Sequence, residues 1–246
     1  MGMKTTVLGG LNCRIVDALP DGGKPSFVVV LCHGFGAPGT DLVSLGPELL
    51  QIEPGLQDRV QFVFPEAPLS LDEMGMFGGR AWWMTDVGRF QAAIEQGRVR
   101  ELCSETPEGL PHARSLVMSL VEELRTSTGL PMSKFLLGGF SQGSMVATDI
   151  TLRLDEPPAG LCVFSGSLIS EDEWRELAAR RRNLPVLQCH GRQDPILPFA
   201  AAEWLNELLT GGGMSVEFAP FDGMHTISMD GLERLAAMTN RLSKTE

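Results

Sequence analysis

The stretch Phe135-Leu136-Leu137-Gly138-Gly139-Phe140-Ser141-Gln142-Gly143-Ser144 decides how the chain is read. Phe135 to Leu137 has the composition of a short buried strand, and from Ser144 to Leu154 apolar residues recur at helical spacing. Between the two lies Gly139-Phe140-Ser141-Gln142-Gly143, a G-x-S-x-G. In a chain with 28 glycines the bare pattern is weak, and its place between strand and helix is what gives it weight. A serine held on so sharp a turn needs small neighbours on both sides, so that its hydroxyl projects above the sheet edge beside a backbone amide. The plain alternative for Ser141 is a helix cap.

Outward from this stretch, short runs rich in β-branched and aromatic residues recur at Val28 to Cys32, Val60 to Phe64, Gly160 to Phe164, Val186 to Cys189 and Val216 to Phe218. Most lack polar alternation, as expected of strands covered on both faces of a largely parallel sheet. Leu116, Val117, Leu120, Val121 and Leu124 form one apolar stripe of a helix whose other side carries Glu122, Glu123 and Arg125. Leu42 to Ile52, Glu171 to Arg182, Ala200 to Leu209 and Gly231 to Leu242 read as further helices. Strands alternating with helices predict an α/β fold, a mostly parallel central sheet with helices on both faces, in a single domain. Glu66 to Pro111, with Met74, Met76, Phe77, Trp82, Trp83 and Met84 among its glycines, is too long for a plain crossover and reads as an insertion over the site, a lid or part of a pocket.

A serine hydroxyl needs a base to become a nucleophile, usually a histidine oriented by a carboxylate. The chain has four histidines. His33 and His190 each follow a cysteine at the end of an apolar run, in Cys-His-Gly, and read as structural; His112 opens the amphipathic helix. His225 stands after the last strand in the loop Phe221 to Ser228, which suits a base. Asp194, in His190-Gly191-Arg192-Gln193-Asp194-Pro195, follows the strand Val186 to Cys189 and suits the orienting acid. All three candidates fall at strand ends, where open parallel sheets bind ligands. An attacked carbonyl also needs donors for its developing charge. The amide of Gln142 is the first candidate, and the amide of Phe35, in His33-Gly34-Phe35-Gly36, is the second.

Composition narrows the field of partners. A formal charge of −11 on 246 residues argues against binding the phosphate backbone of nucleic acid and gives no attraction to anionic headgroups. The longest apolar run, Phe27 to Cys32, is far short of the ~20 residues of a membrane helix. No secretory signal is evident at the N-terminus, so the cytoplasm is the expected compartment. Met1-Gly2 with Thr6 fits the short myristoylation pattern, which is matched often by chance. The five cysteines are odd in number, lack CxxC spacing, and read as reduced core thiols rather than metal ligands.

Leu31 to Gly36, Ala81-Trp82-Trp83, Gly138 to Gly143, Phe164-Ser165-Gly166, His190 to Pro198 and Gly223 to Ser228 resemble, in order, the landmarks of the phospholipase/carboxylesterase family of α/β-hydrolases, which includes acyl-protein thioesterases. The resemblance spans nearly the whole chain and implies Ser141, Asp194 and His225 as a triad, Phe35 and Gln142 as amide donors, and Trp82 near the acyl group, with Trp83 and Met84 beside it as substrate-binding residues. It departs at Met224, where the family usually carries glycine, at Ser144, which replaces another glycine, and at Asp86, which comes later than the family's acidic residue. Asp149, in a helix that such folds bury, is expected on a solvent stripe, with a paired buried charge as the alternative. The expected activity is hydrolysis of small to medium acyl esters or thioesters, with no metal or organic cofactor; a hydrolase-fold binding protein with little turnover is the alternative. A homodimer is left open.

Overall fold

The computed structural model describes residues 2–245, so Met1, the first residue of the lipidation pattern, lies outside the described residues. Its central sheet has eight strands in the order β1-β2-β4-β3-β7-β8-β9-β10. The strands are β1 (Gly2–Leu8), β2 (Leu11–Asp17), β3 (Phe27–Cys32), β4 (Val60–Pro65), β7 (Phe135–Phe140), β8 (Gly160–Phe164), β9 (Pro185–Gly191) and β10 (Ser215–Phe221). From β4 to β10 every pairing is parallel, and only β1 with β2 and β2 with β4 are antiparallel. The six strands expected from sequence are all present.

The helices are α1 (Leu45–Ile52), α2 (Val87–Glu95), α3 (Val99–Leu102), α4 (Leu110–Thr128), α5 (Gln142–Arg153), α6 (Glu171–Ala178), α7 (Phe199–Gly211) and α8 (Met229–Ser243). They cover the sheet from two sides. In β3, Val28, Val30 and Cys32 face one core with α4, α5, α6 and α7, whereas Phe27, Val29 and Leu31 face a second core with α1 and α8. Two buried faces explain why β3 is apolar at every position, since alternate side chains of a strand point to opposite sides.

The N-terminal hairpin was not among the expected strands. β1 is an edge strand, mostly exposed, with Lys4, Thr5 and Thr6 in its middle, so it lacks the apolar run that marked the others. Its signal is the turn, Gly9-Gly10, with φ of 56° and 82°, the doubly positive conformation of a tight hairpin. The expected insertion also carries structure of its own. A small hairpin, β5 (Leu69–Ser70) with β6 (Arg80–Ala81), precedes α2 and α3.

One expectation on α5 is corrected. Asp149 is not on a solvent stripe; it is fully buried and takes Arg114 Nε at 2.5 Å, Arg153 Nε at 3.1 Å and Trp174 Nε1 at 2.9 Å. The alternative, a paired buried charge, holds: α4 and α6 cover that side of α5 through Arg114 and Trp174, and the carboxylate is kept by its cations. Among the described residues no helix is long and apolar enough to cross a membrane. All five cysteines are buried and free, and burial pushes the Cys13 and Cys189 thiols up to about 12.

Candidate active site

The candidate nucleophile sits on a strained turn. Ser141 joins β7 to α5 with φ 52° and ψ −124°, a conformation that costs a non-glycine residue about 1–3 kcal/mol. The surroundings hold it there. The Ser141 N–H donates to the Phe164 carbonyl at 2.9 Å, and the Ser141 carbonyl accepts the Ser144 amide at 3.0 Å and the Ser144 hydroxyl at 2.7 Å. Ser144, one of the departures from the family pattern, thus closes the first turn of α5. A methyl group on Gly139 or Gly143 would overlap the Cys32 carbonyl oxygen at the end of β3, so both glycines are required by close backbone approach.

Asp194 and His225 are brought together from different loops. Asp194 Oδ2 accepts His225 Nδ1 at 2.6 Å, while Oδ1 accepts the amides of Ile196 at 2.8 Å and Leu197 at 2.9 Å. Oδ2 also faces His190 Nε2 at 3.3 Å. Burial alone would raise the pKa of this carboxyl. The hydrogen bonds from His190, His225 and the Leu197 amide outweigh burial and hold Asp194 well below the usual carboxylate range. His190 itself is fully buried, and because its Nε2 also contacts the Leu197 carbonyl at 2.8 Å, which can only accept, that nitrogen carries the proton.

The histidine loop is pinned to the elbow. The Phe140 ring packs on the His225 ring with centroids 4.8 Å apart, and the Ser165 hydroxyl donates to the Thr226 carbonyl at 3.0 Å. Any side chain on Gly191 would overlap the carbonyls of Gly223 and Met224. Met224 has no positive φ and its side chain is exposed, so a residue other than glycine fits there without strain. With Nδ1 engaged by Asp194, Nε2 of His225 is the nitrogen left for a serine. Among the described residues no hydrogen bond joins the Ser141 hydroxyl to His225.

The two candidate amide donors also meet at the elbow. A Cβ on Gly34 would lie 3.2 Å from the Ser141 Cβ, so the loop carrying Phe35 runs directly beside Ser141. Among the described residues the Phe35 amide has no main-chain acceptor, and the Gln142 amide belongs to the first turn of α5, whose N–H groups lack helical acceptors. The loop is anchored to β6 by Gly36 N–H to the Arg80 carbonyl at 2.9 Å and Arg80 N–H to the Ala37 carbonyl at 3.0 Å. Gly36 has φ 82°, and the Met76 methyl occupies the place of its missing Cβ.

Of the three residues expected to touch substrate, Trp82 and Trp83 are packed within the core, and Met84 is exposed. Asp86 caps α2 by accepting the Arg89 amide at 2.8 Å. His33 is buried, with Nδ1 at the Gly34 carbonyl, 2.9 Å, and Nε2 at the Ala67 amide, 3.0 Å. Sequence reasoning assigned no site role to His190, Ser165 or the Gln142 side chain. Two Cys-His-Gly sequences at strand ends were the available signal for His190, whereas Ser165 and Gln142 act through contacts more than 50 residues apart in the chain. Among the described residues no group of three His, Cys, Asp or Glu side chains is placed to hold a metal ion.

Comparison with known proteins agrees with this architecture. The sequence model of the Phospholipase/Carboxylesterase family matches residues 18–243. Acyl-protein thioesterase 1 of Eremothecium gossypii is 29% identical over 210 residues, 82% of each chain. Lysophospholipase-like protein 1 of Mus musculus is 27% identical over 218 residues, 87% of this chain and 85% of that one. Among solved structures, esterase PE8 superposes with a TM-score of 0.76 at 28% identity, covering 98% of this chain and all of the other, 100%. The carboxylesterase from Mesorhizobium loti, at 15% identity and a TM-score of 0.72 over 96% of this chain and 98% of that one, shares the fold. From the parallel sheet, the strand-turn-helix serine and these relatives, the chain belongs to the phospholipase/carboxylesterase family of α/β-hydrolases and is a hydrolase of the esterase and thioesterase type.

Proposed function

We propose that the chain hydrolyses carboxylic esters or thioesters of small to medium acyl groups through an acyl-enzyme, with Ser141 as nucleophile, His225 as base and Asp194 as its orienting acid. The observation that carries this reading is the strained Ser141 at the β7–α5 turn, against which the loop of the hydrogen-bonded His225–Asp194 pair is packed through Phe140. Asp194, held ionised, fixes the His225 proton on Nδ1 and leaves Nε2 unprotonated. Nε2 takes the proton of the Ser141 hydroxyl as its oxygen bonds to the acyl carbon, and the carbonyl electrons move onto oxygen. The amides of Phe35 and Gln142 receive that negative oxygen; removing one donor of this kind costs about 2.7–4 kcal/mol of barrier lowering. Collapse expels the alcohol or thiol, which collects the proton from His225. Water then repeats the sequence on the acyl-serine and frees the acid and Ser141. Residues 66–111 would border the acyl group as a pocket-forming insertion.

A fluorophosphonate probe tests the assignment, since it marks an activated serine. Wild type should label and Ser141→Ala should not; equal labelling of both overturns the reading. A p-nitrophenyl ester series from acetate to palmitate then ranks acyl length, and a burst of p-nitrophenol separates an acyl-enzyme from a binding protein, which releases none.

A further inference from the structure

The insertion and the serine turn are joined by a chain of buried polar contacts that the triad does not use. We propose that Trp82, with the side chains of His33 and Gln142, forms a positioning bridge that sets the direction of both amide donors, those of Phe35 and Gln142; this rests on the acyl-transfer reading above.

The peptide group is planar and trans, so the Gly34 carbonyl and the Phe35 N–H, which share one peptide unit, point in opposite directions. Whatever holds the first aims the second. His33 Nδ1 donates to the Gly34 carbonyl at 2.9 Å. Its Nε2 accepts the Ala67 amide at 3.0 Å, which leaves the ring proton on Nδ1 and fixes the tautomer. Burial holds His33 below its ordinary range, so the neutral ring this arrangement needs is the one favoured. The preceding peptide is held as well, because Trp82 Nε1 donates to the His33 carbonyl at 2.8 Å.

The same tryptophan reaches the other donor. Its main-chain N–H donates to Gln142 Oε1 at 2.8 Å, and Gln142 Nε2 donates to the Trp83 carbonyl at 2.8 Å and to Thr85 Oγ1 at 3.2 Å. Every polar atom of that buried side chain is engaged, all by residues 82–85. Trp82 is 1% exposed and Gln142 4%. The indole therefore serves as a strut between two loops, and the amide side chain of Gln142 clamps the first turn of α5 whose N–H it also supplies. Donors of this kind act only on the charge that develops at the top of the barrier, so mis-aiming them lowers turnover without loosening ground-state binding.

Two variants isolate the bridge. Trp82→Phe deletes the indole N–H and keeps the ring body and main-chain N–H; Gln142→Met deletes the side-chain polar atoms and keeps the amide. For each, kcat and KM on p-nitrophenyl acetate are measured with the inhibition constant of a trifluoromethyl ketone, whose serine adduct carries the same negative oxygen. The expected result is a kcat about 10–100-fold lower, KM within about twofold of wild type, and ketone affinity reduced by the same factor as kcat. A merely structural role would shift the melting temperature and leave the ratio of ketone affinity to KM unchanged, and that outcome overturns the proposal, as does a loss confined to KM. If Trp82→Phe does not fold, Gln142→Met is judged by the same measures. Ser141→Ala separates the two failures: an inert Ser141→Ala beside bridge variants that behave as wild type sinks the bridge alone, whereas an active Ser141→Ala sinks both readings.

Discussion

At Gly143 a hydrogen atom stands where any side chain would overlap the Cys32 carbonyl oxygen, and the obstacle is backbone, which cannot swing aside. Gly143→Ala should therefore lower stability by about 3 kcal/mol, read as a reduced urea midpoint at unchanged slope; a midpoint equal to wild type would mean that β3 yields. Asp194 poses a different question at the same scale. Its folded pKa lies below the roughly 3.9 of an unfolded aspartate. A depressed carboxylate stabilises the fold fully above the unfolded value and loses that contribution as pH falls through the folded one. Urea stability should thus begin to fall near about pH 5 and keep falling below about pH 3, and Asp194→Asn should show a shallower acid slope in the same titration. That variant should also lose turnover by roughly 10⁴-fold, because an amide N–H facing His225 favours the wrong ring tautomer. Residues of this kind differ in how well the chain reveals them. As candidates, Ser141, Asp194 and His225 were legible because each falls in a loop or turn directly after an apolar strand. The roles of His33 and Gln142 were not, because they depend on which distant main-chain groups their polar atoms reach.

α5 shows how an element supports a site from its far side. Its first residue is bound to the strained Ser141, and two turns later Asp149 bonds Arg153 of the same helix and fastens the helix to Arg114 of α4 and to the Trp174 indole of α6. Past its end, Arg181 Nε donates to the Thr151 carbonyl at 2.7 Å, satisfying an acceptor the helix leaves open. Asp149→Ala leaves two guanidinium groups facing each other without their carboxylate, and it should cost about 3–5 kcal/mol. Chemical denaturation measures this directly, and a loss under about 1 kcal/mol would show that solvent replaces the carboxylate at no penalty. The element scale is also where sequence reading succeeded most evenly. Strands such as β3 and β8 are apolar at every position because both faces are covered, and α4 shows its stripe cleanly. β1 escaped notice since an exposed edge strand carries no such run, and α2 did so because Ala93 is its one buried residue.

On the scale of the whole molecule, stability should be uneven. The central strands β3 and β7 sit between two apolar cores and are buried almost throughout, whereas α2 and α3 bury only Ala93 and Val99 and are also held by exposed polar contacts. Arg89 donates to Glu105 at 2.7 Å, Arg100 donates to Glu171 at 2.6 Å, and the Arg100 guanidinium lies 4.8 Å above the Trp204 ring. Arg89 and Glu105 are both about half exposed, and ion pairs in that setting contribute little and weaken with salt. Local opening free energies follow the density of buried apolar contacts. Main-chain amides of residues 87–102 should therefore exchange with deuterium at least about 100-fold faster than those of β3 and β7. Raising salt to about 1 M should accelerate the first group further and leave the second unchanged, because screening reaches only exposed charges. Protection in α2 equal to that in β3 would show that the segment opens only with the whole fold, and residues 87–102 would then be a fixed wall of the site rather than a part that moves independently of it.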